Sequence, residues 1–264
     1  MAASLLHLRT VPGRVRKAWR KLRHAPPALL VALGVAACVA LWLAANALVQ
    51  LARKPTEIFT PVSGSLNKLP AETWRSYEPI FRAHATATLT PDFLAALAQV
   101  EGAGNPIART PWRWRLTEDP FDVYRPASSA VGMFQITNGT YQQAKRYCIH
   151  SNEVAEDGPW YDWNSCWFNW LYLRVVPSHA AEMTSAFLDK SLGRTLNVLK
   201  ISNATQRQKQ DLAAIMHLCG VAAGEGFARR GFRLASNQRC GGQNVGAYLG
   251  QLRALQRTFA ALGR

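Results

Sequence analysis

The chain has 264 residues, including 31 lysines and arginines against 16 aspartates and glutamates, for a formal charge of +15. This length suffices for one good-sized domain, with or without appendages. Seven of the basic residues lie between Arg9 and Arg23, and no acidic residue precedes Glu57. The other 24 basic residues stand against 16 acidic ones, so the remainder has a net charge of +8 and the two basic regions need separate explanations.

Residues 28–52 predict a helix that spans a membrane. They are mostly alanine, leucine and valine, with only Asn46 and Gln50 plainly polar. A helix of this length reaches about 37 Å, which exceeds the ~30 Å of a hydrocarbon core. The basic residues in front of it favour a cytoplasmic tail over residues 1–27. A cleaved signal peptide ending at Ala45-Asn46-Ala47 is the alternative, but the apolar stretch is longer than an ordinary signal core.

The cysteines indicate an oxidising compartment. Cys38 lies within the apolar stretch, whereas Cys148, Cys166, Cys219 and Cys240 all follow it. An even set beyond a membrane anchor predicts two disulfides. Among three pairings we favour Cys148–Cys166 and Cys219–Cys240, because each closes a local loop of about twenty residues. A zinc site is the alternative, but the sequence has no Cys-x-x-Cys pair and its histidines lack ligand spacing.

Beyond the apolar stretch, residues 53–70 predict a linker and residues 71–264 a mostly α domain. Thr90-Pro91-Asp92 is a favourable helix start, and the apolar stripe that follows ends near Gly102. Further helices are expected from about 137 to 147 and over 164–175, 178–190, 205–223 and 244–262. No clear alternating strand pattern occurs.

Glu101 is the first candidate for a catalytic residue. It stands in the last turn of an apolar helix, where the negative end of the helix dipole disfavours a carboxylate. Partial burial beside apolar walls favours its protonated form, which suits a general acid near neutral pH. The alternative is a glutamate that simply ends a helix in solvent.

A motif downstream strengthens this assignment. It reads Ser128-Ser129-Ala130-Val131-Gly132-Met133-Phe134-Gln135-Ile136, followed by Thr140. This motif resembles the signature of the lytic transglycosylase family (SLT-type), whose members have a lysozyme-like fold. In that family a catalytic glutamate ends a helix, and a Ser-x-x-Gly-x-x-Gln run lines the cleft. The resemblance implies a lysozyme-like catalytic domain in which Glu101 is catalytic and Ser129, Gly132, Gln135 and Ile136 bind substrate.

The sequence departs from the family pattern in three places. Gly102 follows Glu101 where the family usually has serine, and the interval from Glu101 to Ser129 is longer than usual. The family's Tyr-Asn-Ala-Gly motif has only a weak counterpart at residues 217–220, which lacks the substrate-binding asparagine. On the same resemblance, Tyr248 takes the place of a late tyrosine that contacts the catalytic glutamate.

Two segments are rich in aromatic residues. Residues 107–125 form the apparent insertion, and they include Trp112, Trp114 and several arginines. Aromatic faces suit sugar rings and arginines suit the carboxylates of muramyl peptides, so Trp112 and Trp114 are candidates for substrate binding. Packing of the insertion onto the domain explains them equally well. The aromatic residues of 160–170 are expected in the core.

The resemblance implies a peptidoglycan lytic transglycosylase that needs neither metal nor cofactor. Glu101 would protonate the bond between N-acetylmuramic acid and N-acetylglucosamine and then act as base to close a 1,6-anhydromuramyl end. One alternative is a hydrolytic muramidase that uses a second carboxylate, for which Glu118, Asp119 and Asp122 are candidates. The other is a non-catalytic module for wall binding or envelope assembly.

The expected partners follow from this location and activity. They are the glycan strands of peptidoglycan, the inner membrane through the N-terminal helix, and an envelope protein complex. The aromatic and arginine residues of the insertion would also suit a nucleic acid, but the expected position outside the membrane argues against it.

Overall fold

The structure, a computed structural model, describes residues 26–264 and is mostly helical. The tail expected at residues 1–27 therefore lies almost entirely outside the described residues. The helices are α1 (Pro27–Arg53), α2 (Thr60–Ser63), α3 (Pro70–Ala83), α4 (Pro91–Gly102), α5 (Asn138–Ala144), α6 (Pro177–Val198), α7 (Gln206–Cys219), α8 (Val221–Arg229) and α9 (Val245–Leu262). The strands form three antiparallel hairpins, β1 (Trp112–Trp114) with β2 (Tyr124–Pro126), β3 (Tyr147–His150) with β4 (Glu153–Glu156), and β5 (Arg239–Cys240) with β6 (Gln243–Asn244).

Helix α1 is long and apolar enough to span a membrane. It runs unbroken from Pro27 to Arg53 and includes the predicted span of 28–52. Most of its side chains are exposed, but Asn46 and Gln50 are buried against the rest of the molecule. A bare apolar surface of this length is typical of a helix that lipid covers.

Residues 53–70, where the sequence predicts a linker, are folded into helical turns. Pro55 and Pro61 stand in the first turn of two short helical segments. Backbone N–H groups in a first turn have no acceptor within the helix, so proline, which lacks this group, costs no hydrogen bond there. The carboxylate of Glu57 is buried and lies 3.0 Å from the Lys54 ammonium. The prolines thus begin helical turns, and buried polar contacts hold the segment against the domain.

Helix α4 forms the centre of the core. Every residue from Phe93 to Ala98 is fully buried, and the helix packs against α3 and α9, which also contact each other. Thr90 precedes α4 as predicted, but its hydroxyl does not cap the helix and instead accepts a hydrogen bond from Gln210. Helices α6, α7 and α8 complete the core by packing on one another.

Of the remaining helix predictions, the one over 164–175 is wrong, and the others hold with changes at specific residues. The region 205–223 contains two helices because the chain turns at Gly220, whose φ of 86° ends α7. The expected helix over 164–175 is only a 3₁₀ turn at Trp167–Leu171, and the one over 178–190 extends to Val198. Helix α3 has no sequence prediction of its own, because Pro79 interrupts its pattern.

The aromatic residues of 160–170 are exposed, contrary to the expectation that they lie in the core. Ser165, Cys166 and Asn169 are the buried members of this segment; Cys166 forms a disulfide with Cys148, and the Asn169 amide donates to the carbonyl of Tyr147. These two attachments fix the segment and leave its rings pointing outward. The exposed rings are Trp160, Tyr161, Trp163, Trp167, Phe168 and Trp170.

The four outer cysteines pair as predicted. Cys148 joins Cys166 with a Cα–Cα distance of 5.2 Å, and Cys219 joins Cys240 at 5.4 Å. The first disulfide attaches β3 to the aromatic segment, and the second attaches the end of α7 to β5. Cys38 is free and exposed on α1.

Replacing Cys219 and Cys240 together with serine should lower the free energy of unfolding by about 3 kcal/mol, because the unfolded chain regains the freedom of the closed loop. Urea denaturation of the full chain in detergent micelles measures this change. Cys38→Ser is the matched control and should leave the free energy of unfolding unchanged. Equal stability of the double variant and the control would contradict the structural role of this disulfide.

Candidate functional site

Glu101 lies on the wall of a cavity of about 480 Å³. Its side chain is 15% exposed and points from the last turn of α4. The chain turns sharply after this residue, because Ala103 and Gly104 adopt left-handed φ angles of 49° and 63°. The cavity is lined by Ser63, Gly64, Asn67, Gln99, Val100, Glu101, Gly102, Ala103, Asn105, Ala108, Arg109 and Pro111.

Tyr248 holds the carboxylate of Glu101. Its hydroxyl donates a hydrogen bond of 2.6 Å to Glu101 Oε1, from the first turn of α9. Burial of Tyr248 raises the pKa of its phenol well above the ordinary value, and the negative charge of Glu101 raises that pKa further. The phenol therefore stays protonated and remains a donor. The predicted contact between this tyrosine and Glu101 is present.

His217 is the third group at this carboxylate, and its role is not evident from the sequence. It lies in the last turn of α7, its side chain is 8% exposed, and its Nε2 is 4.0 Å from Glu101 Oε1. In the sequence, residues 217–220 are only a weak counterpart of a family motif. Three helices, α4, α7 and α9, thus meet at one carboxylate oxygen.

Gly102 explains one departure from the family pattern. A Cβ atom at this position would come within 2.8 Å of both the Cα and the carbonyl oxygen of Met133. Serine is therefore excluded here unless the backbone shifts. The same close approach places the end of α4 directly against the motif loop, which we define as residues 128–136.

The side-chain amide of Gln135 binds two backbone carbonyls, one inside the motif loop and one outside it. The side-chain Nε2 donates to the carbonyls of Ala108 and Gly132, at 3.1 and 2.9 Å. Ala108 is part of the cavity wall, so Gln135 supports this wall from behind. Among the described residues Gln135 makes no hydrogen bond to Glu101, so its amide is used within this loop and toward Ala108.

The other motif residues also shape the loop. Gly132 has a φ of 81°, and a Cβ atom there would lie 2.3 Å from the Arg174 carbonyl, so only glycine fits. Ser129 Oγ accepts a hydrogen bond from the Asn138 backbone N–H, and Ile136 is buried in the core. These contacts give the motif loop its shape, while substrate contact by its residues stays a prediction.

The two insertion tryptophans lie next to α1. Trp112 donates through Nε1 to Glu57 at 2.8 Å and lines a second cavity of about 470 Å³. This cavity shares the lining residues Arg109 and Pro111 with the first, so the two cavities are neighbours. Trp114 stacks on Tyr124 and lines neither cavity.

No acidic side chain other than Glu101 lines the first cavity. Asp119 and Asp122, candidates for a second carboxylate, form ion pairs with Arg53 at 3.3 and 2.6 Å. Glu118 is exposed in the same loop. Within the described part of the chain, the site thus offers a single carboxylate with a tyrosine donor.

No family model, curated protein or solved structure matches this chain. The mostly α architecture is observed directly, whereas the lysozyme-like fold and the family stay predictions that rest on the motif.

Gly102→Ser should destabilise the domain by about 1–3 kcal/mol, because the new side chain meets the Met133 backbone. Urea denaturation of the full chain in micelles measures the effect. Gly193→Ser in α6 is the matched control, since a Cβ there has nothing within 4 Å, and it should be neutral or slightly stabilising. Similar stabilities for the two variants would refute this account of Gly102.

Proposed function

We propose that this protein is a membrane-anchored peptidoglycan lytic transglycosylase with Glu101 as its general acid and base. The observation that carries the proposal is the arrangement around Glu101, the one carboxylate that lines its cavity, with the Tyr248 hydroxyl at 2.6 Å. The contact of Gly102 with Met133 adds support, because it brings the transglycosylase-like motif loop against the end of α4, next to Glu101 in the chain.

The reaction requires one group that first gives and then takes a proton. Protonated Glu101 donates to the glycosidic oxygen as the bond to C1 of N-acetylmuramic acid breaks, and the N-acetyl group of the same sugar stabilises the oxocarbenium ion. The resulting carboxylate accepts the proton of the C6 hydroxyl, whose oxygen bonds to C1 and forms the 1,6-anhydro ring. The protonated Tyr248 phenol stabilises the carboxylate between these two steps.

A single carboxylate favours this reaction over hydrolysis by a muramidase. Hydrolytic glycosidases generally use a second carboxylate as nucleophile or to activate water. Here Asp119 and Asp122 are paired with Arg53 at the end of α1. The substrate's own groups can fill both roles in a transglycosylase.

We further propose that α1 crosses the inner membrane, with the N-terminal tail in the cytoplasm and the domain in the periplasm. The basic residues before α1 favour this orientation. The two disulfides lie in the part of the chain that would then be in the oxidising compartment.

Glu101→Gln should abolish release of muropeptides from purified sacculi, because glutamine cannot donate and recover the proton. Mass spectrometry of the soluble products from the full chain in micelles measures the release. Anhydromuramyl ends identify a transglycosylase, and reducing ends identify a muramidase. Equal release by parent and variant excludes Glu101 as the acid, and binding without release by either identifies a wall-binding module.

Tyr248→Phe should lower kcat about tenfold to a hundredfold, since a hydrogen bond to a charged group contributes roughly 1.5–3 kcal/mol. Tyr172→Phe is a matched control, because its hydroxyl donates to Glu182 at 2.8 Å, another buried carboxylate outside the cavity. Both variants lose stability, but only Tyr248→Phe should lose activity per folded molecule. Equal losses of activity would remove Tyr248 from the mechanism.

A further inference from the structure

One face of α1 is occupied by the insertion hairpin, which we define as β1, β2 and the loop between them, residues 112–126. Asn46 Nδ2 donates to the Tyr124 carbonyl at 2.7 Å, and Gln50 Nε2 donates to the Phe121 carbonyl. One turn farther, Arg53 pairs with acidic residues of the loop. These α1 residues recur every three or four positions and so form one stripe. The hairpin thus accepts hydrogen bonds from both side-chain amide nitrogens of this stripe and pairs with its arginine.

The same stripe continues into the apolar part of α1. Four residues before Asn46, the Trp42 ring lies 6.1 Å from the Trp114 ring and nearly parallel to it. Trp114 also stacks on Tyr124 at 4.6 Å, and Tyr124 contacts Trp112 at 5.2 Å. A row of aromatic rings thus leads from the second cavity to the apolar surface of α1.

The length of α1 indicates how deep in a bilayer this row of aromatic rings would lie. Residues 28–45 contain no polar side chain, and Asn46 is the first one. The rise from Pro27 to Asn46 is about 28 Å, close to the ~30 Å thickness of a hydrocarbon core. Asn46 therefore lies near the outer boundary, and Trp42 lies about one turn, ~5 Å, inside it. Trp114 is level with Trp42.

We infer that the insertion hairpin is a second membrane contact, which seats Trp114 in the outer interfacial layer of the bilayer beside α1. Trp114 is 65% exposed at this level, and tryptophan prefers the membrane–water interface. The neighbouring Arg113 and Arg115 are exposed and suit lipid phosphates. The inference rests on the proposed crossing of the membrane by α1, but it does not depend on catalysis.

A glycan is the competing occupant of this surface. Trp114 lines neither cavity, whereas Trp112 and Tyr124 face the second one. A sugar in the second cavity would therefore reach Trp112 and Tyr124, while Trp114 lies beside Trp42 on the exposed stretch of α1. Continuity with α1 favours lipid at Trp114.

Spin labelling of the full chain in vesicles of phosphatidylethanolamine and phosphatidylglycerol tests this inference. A Cys38→Ser background with the disulfides oxidised receives one nitroxide, at Trp114→Cys, at Val39→Cys on α1, or at Val198→Cys at the end of α6. Val198 is the matched control, because its exposure of 67% is nearly that of Trp114. Collision rates with oxygen and with a water-soluble nickel chelate report lipid and water, respectively.

We expect the ratio of oxygen to nickel-chelate collisions to be severalfold higher at position 114 than at 198, and highest at 39. A ratio at 114 equal to that at 198, with 39 in lipid, overturns the hairpin contact and leaves the proposed enzyme intact. A label at 39 that reports water overturns both the crossing and the contact. A label at 114 that reports water in vesicles and becomes immobile only with added muropeptides assigns this surface to glycan.

Labelling at 114 removes one ring of the stack, so a second measurement keeps the native side chain. The unaltered chain is irradiated in vesicles that contain a phospholipid with a photoactivatable group near its carbonyl. Mass spectrometry of the digested protein should find lipid adducts at residues 114–116 in addition to those on α1. Adducts confined to α1 would contradict the hairpin contact.

Discussion

The hydrogen bond between Tyr248 and Glu101 is the interaction on which the site depends. A carboxylate at the carboxyl end of a helix meets the negative end of the helix dipole, and partial burial removes much of its hydration. The Tyr248 phenol compensates for both effects. Because Tyr248 belongs to α9, which packs along α4, the packing of these two helices also sets the position of the Glu101 carboxylate. Core packing and site geometry are therefore one arrangement.

Local patterns in the sequence were sufficient to predict several of these features. The stripe from Phe93 to Val100 predicted α4 and placed Glu101 at its end, because apolar periodicity and glycine stops are local signals. Loop length alone favoured the observed disulfides. The contact of Tyr248 with Glu101 followed from the family resemblance and not from spacing.

The features that the sequence did not reveal depend on contacts between distant segments. Pro55 and Pro61 suggested a linker, but burial of Glu57 against Trp112 and Lys54 fixes that segment in place. The aromatic residues near Cys166 were predicted to lie in the core, but they are exposed. Amino-acid composition alone does not show which side of a segment faces water. The Gln135 amide is likewise directed by a carbonyl twenty-seven positions away, at Ala108.

The unbroken course of α1 has a mechanical consequence. A domain joined to its membrane helix by a flexible linker keeps its orientation when the helix tilts. In this protein Asn46, Gln50 and Arg53 of α1 bond directly to the insertion hairpin, so no flexible linker separates α1 from the domain. Transmembrane helices lean by about 20° on average, and by more in thinner bilayers. With α1 crossing a membrane as proposed, its tilt would rotate the attached domain by the same angle, so that bilayer thickness would change the direction in which the first cavity opens.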